Sequence, residues 1–395
     1  MKRSFSFVDE RGGLTVAFGT CFIAATYGLV RLAYGLFLPD MQTDLGVEAE
    51  QAGYISAGSS LVYCGAAAIG FARAATRPRL LVLCATCTAC AGVWGMAGAA
   101  DASAFSVFAV ISSAGAGFAS PALVTIVSRN VGSETVGRAQ STVNAGTGPG
   151  LVGAGVLALV LLPEWRLAWI AIGALTAAFA AAVLMTDRKR ASTQAAAGAS
   201  GLSKPWFAAH LEILVAATLM GAGSSAVWTY GRSFLVETGI GSEHDTIAAW
   251  IALGLGATAV IATARTVAIL EAVDAWALSC TAMAVAITAL ILQPPHLSIA
   301  LVACVVFGWG FTAATSALIA WTTDIDPANS AAGTAMLFVA LVFGQAIGAA
   351  VLGAVITTAG FRPAFTAAAT VTILAVAVRV ARQRRQQSRG RRPSN

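Results

Sequence analysis

Arg31 combines a reactive type with an unusual place. It lies inside an apolar run from Leu14 to Leu38, and a charge at the centre of a membrane-crossing helix costs at least about 2.5–3.5 kcal/mol. An arginine cannot release its proton at any accessible pH, so it is no proton carrier. Its planar guanidinium instead offers a bidentate fork to a carboxylate or phosphate. Tyr27 and Tyr34, at i−4 and i+3, share its face of a helix. A Tyr-Arg-Tyr stripe turned towards lipid would be costly, so the three are expected to line an aqueous cavity and to contact a negative group on a solute. A structural arginine that snorkels to the interface, about 10 Å away by helical rise, is the other reading. Glu212 and His210 form the one ionisable pair near the seventh span, close to its cytoplasmic start, candidates for proton handling or for plain interfacial solvation. Asn144, Trp228, Tyr230 and Gln345 are further polar side chains at span depth, expected to contact the solute, although amides and hydroxyls also bond between membrane helices.

Two spacings imitate other chemistry. Cys84-x-x-Cys87-x-x-Cys90 resembles an iron-sulfur ligand run, but it sits in the helical stretch LLVLCATCTACAGVW with no fourth ligand, so small-residue packing is expected and no metal. Gly148-x-Gly150-x-x-Gly153 spells a dinucleotide fingerprint, which needs a preceding strand and a soluble crossover unit. An apolar helix supplies neither, and no cofactor is expected. Physically, Gly148, Gly153 and, in the second half, Gly344 bare a helix face for close contact, while Pro149 removes a backbone hydrogen bond and bends its helix. These four are read as gating and helix-packing positions.

The elements that must position these residues are set by composition. Of 395 residues, 57% are hydrophobic and 11% charged, with a mean hydropathy of +0.78. An ordinary soluble domain carries about 25% charged residues, so the bilayer is the solvent. Apolar runs between polar breaks predict spans near 14–38, 51–72, 80–99, 104–127, 139–162 and 166–186, then 207–233, 246–268, 275–292, 297–321, 331–356 and 363–381. The fold class is therefore an all-α membrane protein with twelve transmembrane helices. The widest polar interval divides them into an N-terminal bundle (1–187), a cytoplasmic linker (188–205) and a C-terminal bundle with a basic tail (206–395).

With the N-terminus inside, every Lys and Arg except Arg31, Arg166, Arg232 and Arg362 falls on the cytoplasmic side. The net charge of +6 is then a topology signal and not a nucleic-acid footprint. The expected location is the plasma membrane, with both termini cytoplasmic. The halves also match at an offset of 196 residues: Tyr34-Gly35 falls on Tyr230-Gly231, Gly148 on Gly344, and Trp165-Arg166 on Phe361-Arg362. An internal repeat of two pseudo-symmetric six-helix bundles is the simplest cause.

Nearly the whole chain resembles the major facilitator superfamily. The 6 + 6 layout carries the likeness, together with Trp165-Arg166-x-x-Trp169 at the sixth helix. Arg31-Leu32-Ala33-Tyr34 followed by Leu38-Pro39-Asp40-Met41 looks like the first-helix signature of the YbfB/YjiJ-type branch. The stretch from Asn144 to Gly153 resembles a glycine-proline motif that the superfamily associates with proton-coupled exporters, with Asn144 and Val152 in place of glycines. The loop after the second helix departs from the family pattern. Gly70 is followed by Arg73, Arg77 and Arg79 but no aspartate, so those arginines are expected to do no more than set topology. The resemblance implies a non-enzymatic secondary transporter, a monomer in lipid, moving a small organic solute by alternating access with protons as a possible coupling ion. A polytopic membrane enzyme would need a cluster of catalytic groups, and the three histidines are dispersed. A sensor would ordinarily bring a soluble signalling domain.

Overall fold

The computed structural model describes residues 10–187, 204–267, 269–292 and 296–390, and all regular structure among them is helical. Eleven helices are long and apolar enough to cross a membrane, and a twelfth apolar stretch, Phe361–Ala377, opens a longer helix. By crossing they are α1 (Gly12–Leu45), α2 (Ala49–Arg73), α3 (Pro78–Gly98), α4 (Ala102–Asn130), α5 (Val136–Leu161), α6 (Trp165–Thr186), α7 (Lys204–Glu237), α8 (Glu243–Val267), α9 (Ala272–Leu292), α10 (Leu297–Ile325), α11 (Ser330–Ala359) and α12 (Phe361–Gly390). Each predicted span is present. Most of the linker, residues 188–203, lies outside the described residues, as do Lys2, Arg3 and the side chains of the basic tail from residue 378 onward.

Local chemistry sets several ends. The Asp101 carboxylate accepts the backbone N–H groups of Ser103 and Ala104 at 2.8 and 2.9 Å and so caps α4. Pro78 opens α3, where its missing N–H is not needed. Gly46 closes α1 in the left-handed region, which costs glycine nothing.

Two interruptions matter more. From Ala24 to Leu32, α1 winds as a π-helix. Helix α5 breaks between Asn144 and Thr147. Pro149 has no N–H to give the carbonyl four residues back, at Ala145, and Gly146 turns tightly there, its N–H donating to Val143 O at 3.1 Å. The bend that Pro149 imposes therefore sits one turn upstream of the proline.

The chain packs as two compact units, one of Met1–Gly46 with Leu61–Ser200, the other of Val47–Ser60 with Gly201–Asn395. The first half of α2 thus belongs with the second unit. The first unit's core joins Phe22 of α1, Leu123 and Ile126 of α4 and Val183 of α6. In the second, Trp276 of α9 meets Trp321 of α10 at 5.8 Å, and Phe234 of α7 stacks on Phe365 of α12 at 4.4 Å.

Candidate functional site

In the first unit the π segment carries both Tyr27 and Arg31. The Arg31 guanidinium carbon lies 4.7 Å from the centre of the Tyr63 ring, on α2. A cation so placed over a ring face gains about 0.5–2 kcal/mol and loses rotational freedom. Tyr63 is only 4% exposed. Its hydroxyl is 3.0 Å from that of Tyr27, with the two rings edge to face at 6.0 Å. Tyr63 thus ties the predicted arginine to the predicted tyrosine. Sequence reading passed it over, since a lone tyrosine in an apolar helix carries no charge signal. Tyr34 lies past the π segment, at the start of the α-helical stretch Tyr34–Leu45.

The π segment packs against α5 through bare backbone. A Cβ on Gly28 would stand 2.5 Å from the Gly150 Cα, and a Cβ on Gly150 would collide with the Ala24 carbonyl. A Cβ on Gly146 would strike the Thr20 carbonyl in the same way. The second unit repeats the seam between α7 and α11: Gly344 faces the Thr218 carbonyl and Gly348 that of Ala222. Each of these four residues lies 198 positions after its counterpart in the first unit, not 196. Tyr34-Gly35 and Tyr230-Gly231 match only in residue type at 196. Helix α7 is α-helical throughout.

This seam shows which glycines of the α5 stretch approach another backbone. Gly146 and Gly150 make the tight contacts, whereas a methyl on Gly153 would meet only Leu29 Cδ2 at 3.7 Å, an ordinary separation. Gly148 is buried and Pro149 exposed. Gly344 stands in the seam as expected.

The other candidates are scattered. Tyr230 is fully buried, and its hydroxyl lies 2.8 Å from Ala349 O and 3.2 Å from Ala49 O, beneath Gly53 and Gly353. That hydroxyl is spent on backbone carbonyls, so in this conformation Tyr230 joins helices and does not line a cavity. Asn144 is exposed at the α5 break. Gln345 is buried beside the seam residue Gly344. Trp228 is buried within a cluster of rings on α7, α8 and α10. His210 is buried, its Nδ1 2.9 Å from Trp206 O and its ring stacked on Trp206 at 3.8 Å, while Glu212 is half-buried. The three cysteines of α3 differ in burial: Cys87 is exposed, Cys84 half-buried, and the buried Cys90 points its thiol at Gly173 O.

A family model described as the Major Facilitator Superfamily matches residues 17–324, from α1 through nearly all of α10. The chain belongs to the major facilitator superfamily. Its transporters supply the similar solved structures. The nucleoside transporter NupG superposes with a TM-score of 0.77 at 14% identity over 94% of this chain and 98% of that one. A bacterial homologue of the human lysosomal transporter Spinster, inward-facing and unoccupied, gives 0.73 at 14% over 94% and 96%. A D-xylose-proton symporter gives 0.74 at 13% over 92% and 96%. Identities this low establish the fold alone. Among curated proteins, none matches the sequence.

The loop arginine Arg79 has a carboxylate partner from elsewhere in the chain. Asp187, just past α6, is buried and takes hydrogen bonds from Arg129 Nε at 2.8 Å, Asn130 Nδ2 at 2.9 Å and Arg79 at 3.1 Å. A second Arg129 nitrogen pairs with it as well. Arg79 therefore does more than set topology: it helps tie the ends of α3, α4 and α6 together. Burial pushes the Asp187 carboxyl up, but the bonds from Arg129 and Asn130, the Arg129 charge and the bond from Arg79 outweigh it and hold the group below its ordinary value. Such a depressed carboxylate contributes stability that is present above its unfolded value, about 3.9, and lost as pH falls through the lower folded value. Asp187→Ala should lower unfolding stability in detergent by about 3 kcal/mol, since it strands a largely buried guanidinium. The variant should also lose part of the wild type's acid sensitivity below about pH 4. Thermal unfolding followed against pH checks both, and an unchanged profile would contradict the pairing.

Proposed function

We propose that this superfamily member is a secondary active transporter that moves a small organic solute bearing a negative group, with Arg31 as its anchor. The observation that carries this reading is the Arg31, Tyr63 and Tyr27 cluster. A guanidinium set over the Tyr63 ring within an apolar span offers the planar fork that a carboxylate or phosphate takes. Arg31 and Tyr27 contact the solute, with Tyr34, Asn144, Trp228 and Gln345 as further contacts in other conformations. Alternating access comes from two six-helix bundles, residues 1–187 and 206–395, joined by the linker 188–205. Proton coupling cannot run through Arg31. His210, buried beside Trp206, and Glu212 are the candidates for it. The exporter-type glycine-proline stretch of α5 favours export, and the Arg31 to Met41 signature favours the YbfB/YjiJ-type branch. The protein works as a monomer in the plasma membrane.

Both termini are cytoplasmic in this reading. Ala100 and Ala328 are exposed loop positions that spare the neighbouring capping aspartates. In a cysteine-free background, Ala100→Cys should react with an impermeant maleimide from outside and Ala328→Cys only after permeabilisation; the opposite pattern would invert the topology. The function itself is tested in proteoliposomes with an imposed pH gradient, across organic anions and neutral drugs. An anion-dependent proton flux is expected. Chemical turnover without flux would favour an enzyme.

A further inference from the structure

Helices α7 and α8 run antiparallel in a register that two contacts define. Arg232 Nε donates to Thr246 Oγ1 at 3.2 Å. One turn further into the unit along both helices, Trp228 and Trp250 meet edge to face, their ring centres 6.2 Å apart. Phe307 and Phe311, a turn apart on α10, close on Trp228 at 5.7 and 5.0 Å, again with their planes steeply inclined to it. The result is an aromatic quartet within the second unit. Trp228 is 7% and Trp250 3% exposed, while Phe311 is half-buried and brings the cluster towards an accessible surface.

Both indole Nε1–H groups of this pair are buried and without an acceptor. A buried donor left unmade costs about 1–3 kcal/mol. The same fold satisfies indoles in other places. Trp309, on α10 like the two phenylalanines, donates to Thr263 Oγ1 at 2.8 Å, and Trp94 donates to Ile170 O at 3.2 Å. Trp169 and Trp276 also lack an acceptor, but each is wholly enclosed, and no second unsatisfied indole packs against either. Trp228 and Trp250 are, among the described residues, a pair of unsatisfied indoles whose rings are in contact, next to the half-buried Phe311 ring.

We propose that Trp228, Trp250, Phe307 and Phe311 form a binding subsite for a flat aromatic group bearing an acceptor oxygen, an aryl carboxylate, whose oxygen takes the two indole N–H groups while its ring packs edge to face among the four side chains. This rests on the transporter reading and gives its solute a chemical class. Indole N–H edges carry positive charge, so they favour an acceptor over a quaternary ammonium, which would seek ring faces instead.

The test reads binding, not flux. The full chain, labelled with 5-fluorotryptophan at its nine tryptophans and held in lipid nanodiscs, is titrated with benzoate, cyclohexanecarboxylate and tetramethylammonium. Trp228→Phe and Trp250→Phe assign the two fluorine signals and remove one donor each while keeping a ring. Benzoate should shift both signals saturably and leave Trp309 in place. Each substitution should weaken benzoate by about tenfold, the worth of one hydrogen bond, whereas Trp309→Phe should not. Cyclohexanecarboxylate should bind more weakly, and tetramethylammonium should leave both signals unmoved. Unmoved Trp228 and Trp250 signals with benzoate, equal shifts at all tryptophans, or unchanged affinity in both variants would overturn the subsite. A shift without any solute flux would leave the subsite standing and sink the transporter reading; flux without a shift would do the reverse.

Discussion

Arg31→Ala is expected to reduce the transport of an anionic solute by roughly 150-fold or more in apparent kcat/KM. The estimate follows from losing charge-assisted hydrogen bonds worth about 3 kcal/mol. Arg31→Lys keeps the charge but loses the planar fork and its broad contact with the Tyr63 face. It should fall between wild type and alanine, with most of the loss in KM. Tyr63→Phe retains the ring and gives up only the hydroxyl contact with Tyr27, so it should transport nearly as well as wild type. Tyr63→Leu removes the ring face and should cost about tenfold, the worth of a desolvated cation–π contact. That graded order separates an aromatic platform from a tyrosine that merely packs. Initial uptake rates in proteoliposomes, normalised to inserted protein, check it. An alanine variant with unchanged affinity for an identified anion would remove Arg31 from the site.

The second large effect is expected in the α1–α5 seam. Gly150 faces the Ala24 carbonyl with no room for a methyl group, and Gly28 faces the Gly150 backbone. Backbone cannot rotate aside as a side chain does, so Gly150→Leu must drive the two helices apart. Overpacking in a tight interior costs about 1–3 kcal/mol, and here the strain falls on the segment that aims Arg31. Transport should be abolished while membrane insertion persists, because leucine adds no polarity. Gly348→Leu should do the same through the Ala222 carbonyl of the second unit. Gly153→Ala should be tolerated, since its new methyl meets only Leu29 at an ordinary distance. Flux, with yield in the membrane fraction as control, tests the series. A transport-competent Gly150→Leu would show that the seam plays no part in the cycle.

Much of the architecture is legible in the residues, because lipid demands long apolar runs and punishes anything else. The sixth span, expected at 166–186, is Trp165–Thr186. Arg31 stands out for the same reason: one charge in such a run is conspicuous. What escaped sequence reading lacks a signal of that kind. No proline within Ala24–Leu32 announces the π segment, and Arg31 marks a charge there without marking the winding. It shows only in the backbone of the folded helix. Asp187 reads as the first residue of a polar linker, and only folding brings Arg79 and Arg129, far apart in sequence, onto its carboxylate. Within the glycine run of α5, composition shows that helices approach closely, not that Gly146 and Gly150 are the ones that meet carbonyls. Tyr230 was drawn towards the solute for its hydroxyl, which Ala349 and Ala49 take up instead.

Solute counterflow tests the central claim most directly. Proteoliposomes are loaded with an unlabelled organic anion that gives a flux in the pH-gradient assay, then diluted into a trace of the same labelled compound, with no nucleotide and no ion gradient. The account predicts a transient overshoot of label in wild-type vesicles and none in Arg31→Ala vesicles of equal protein content. An overshoot that survives Arg31→Ala undiminished, or exchange that requires ATP, would contradict it.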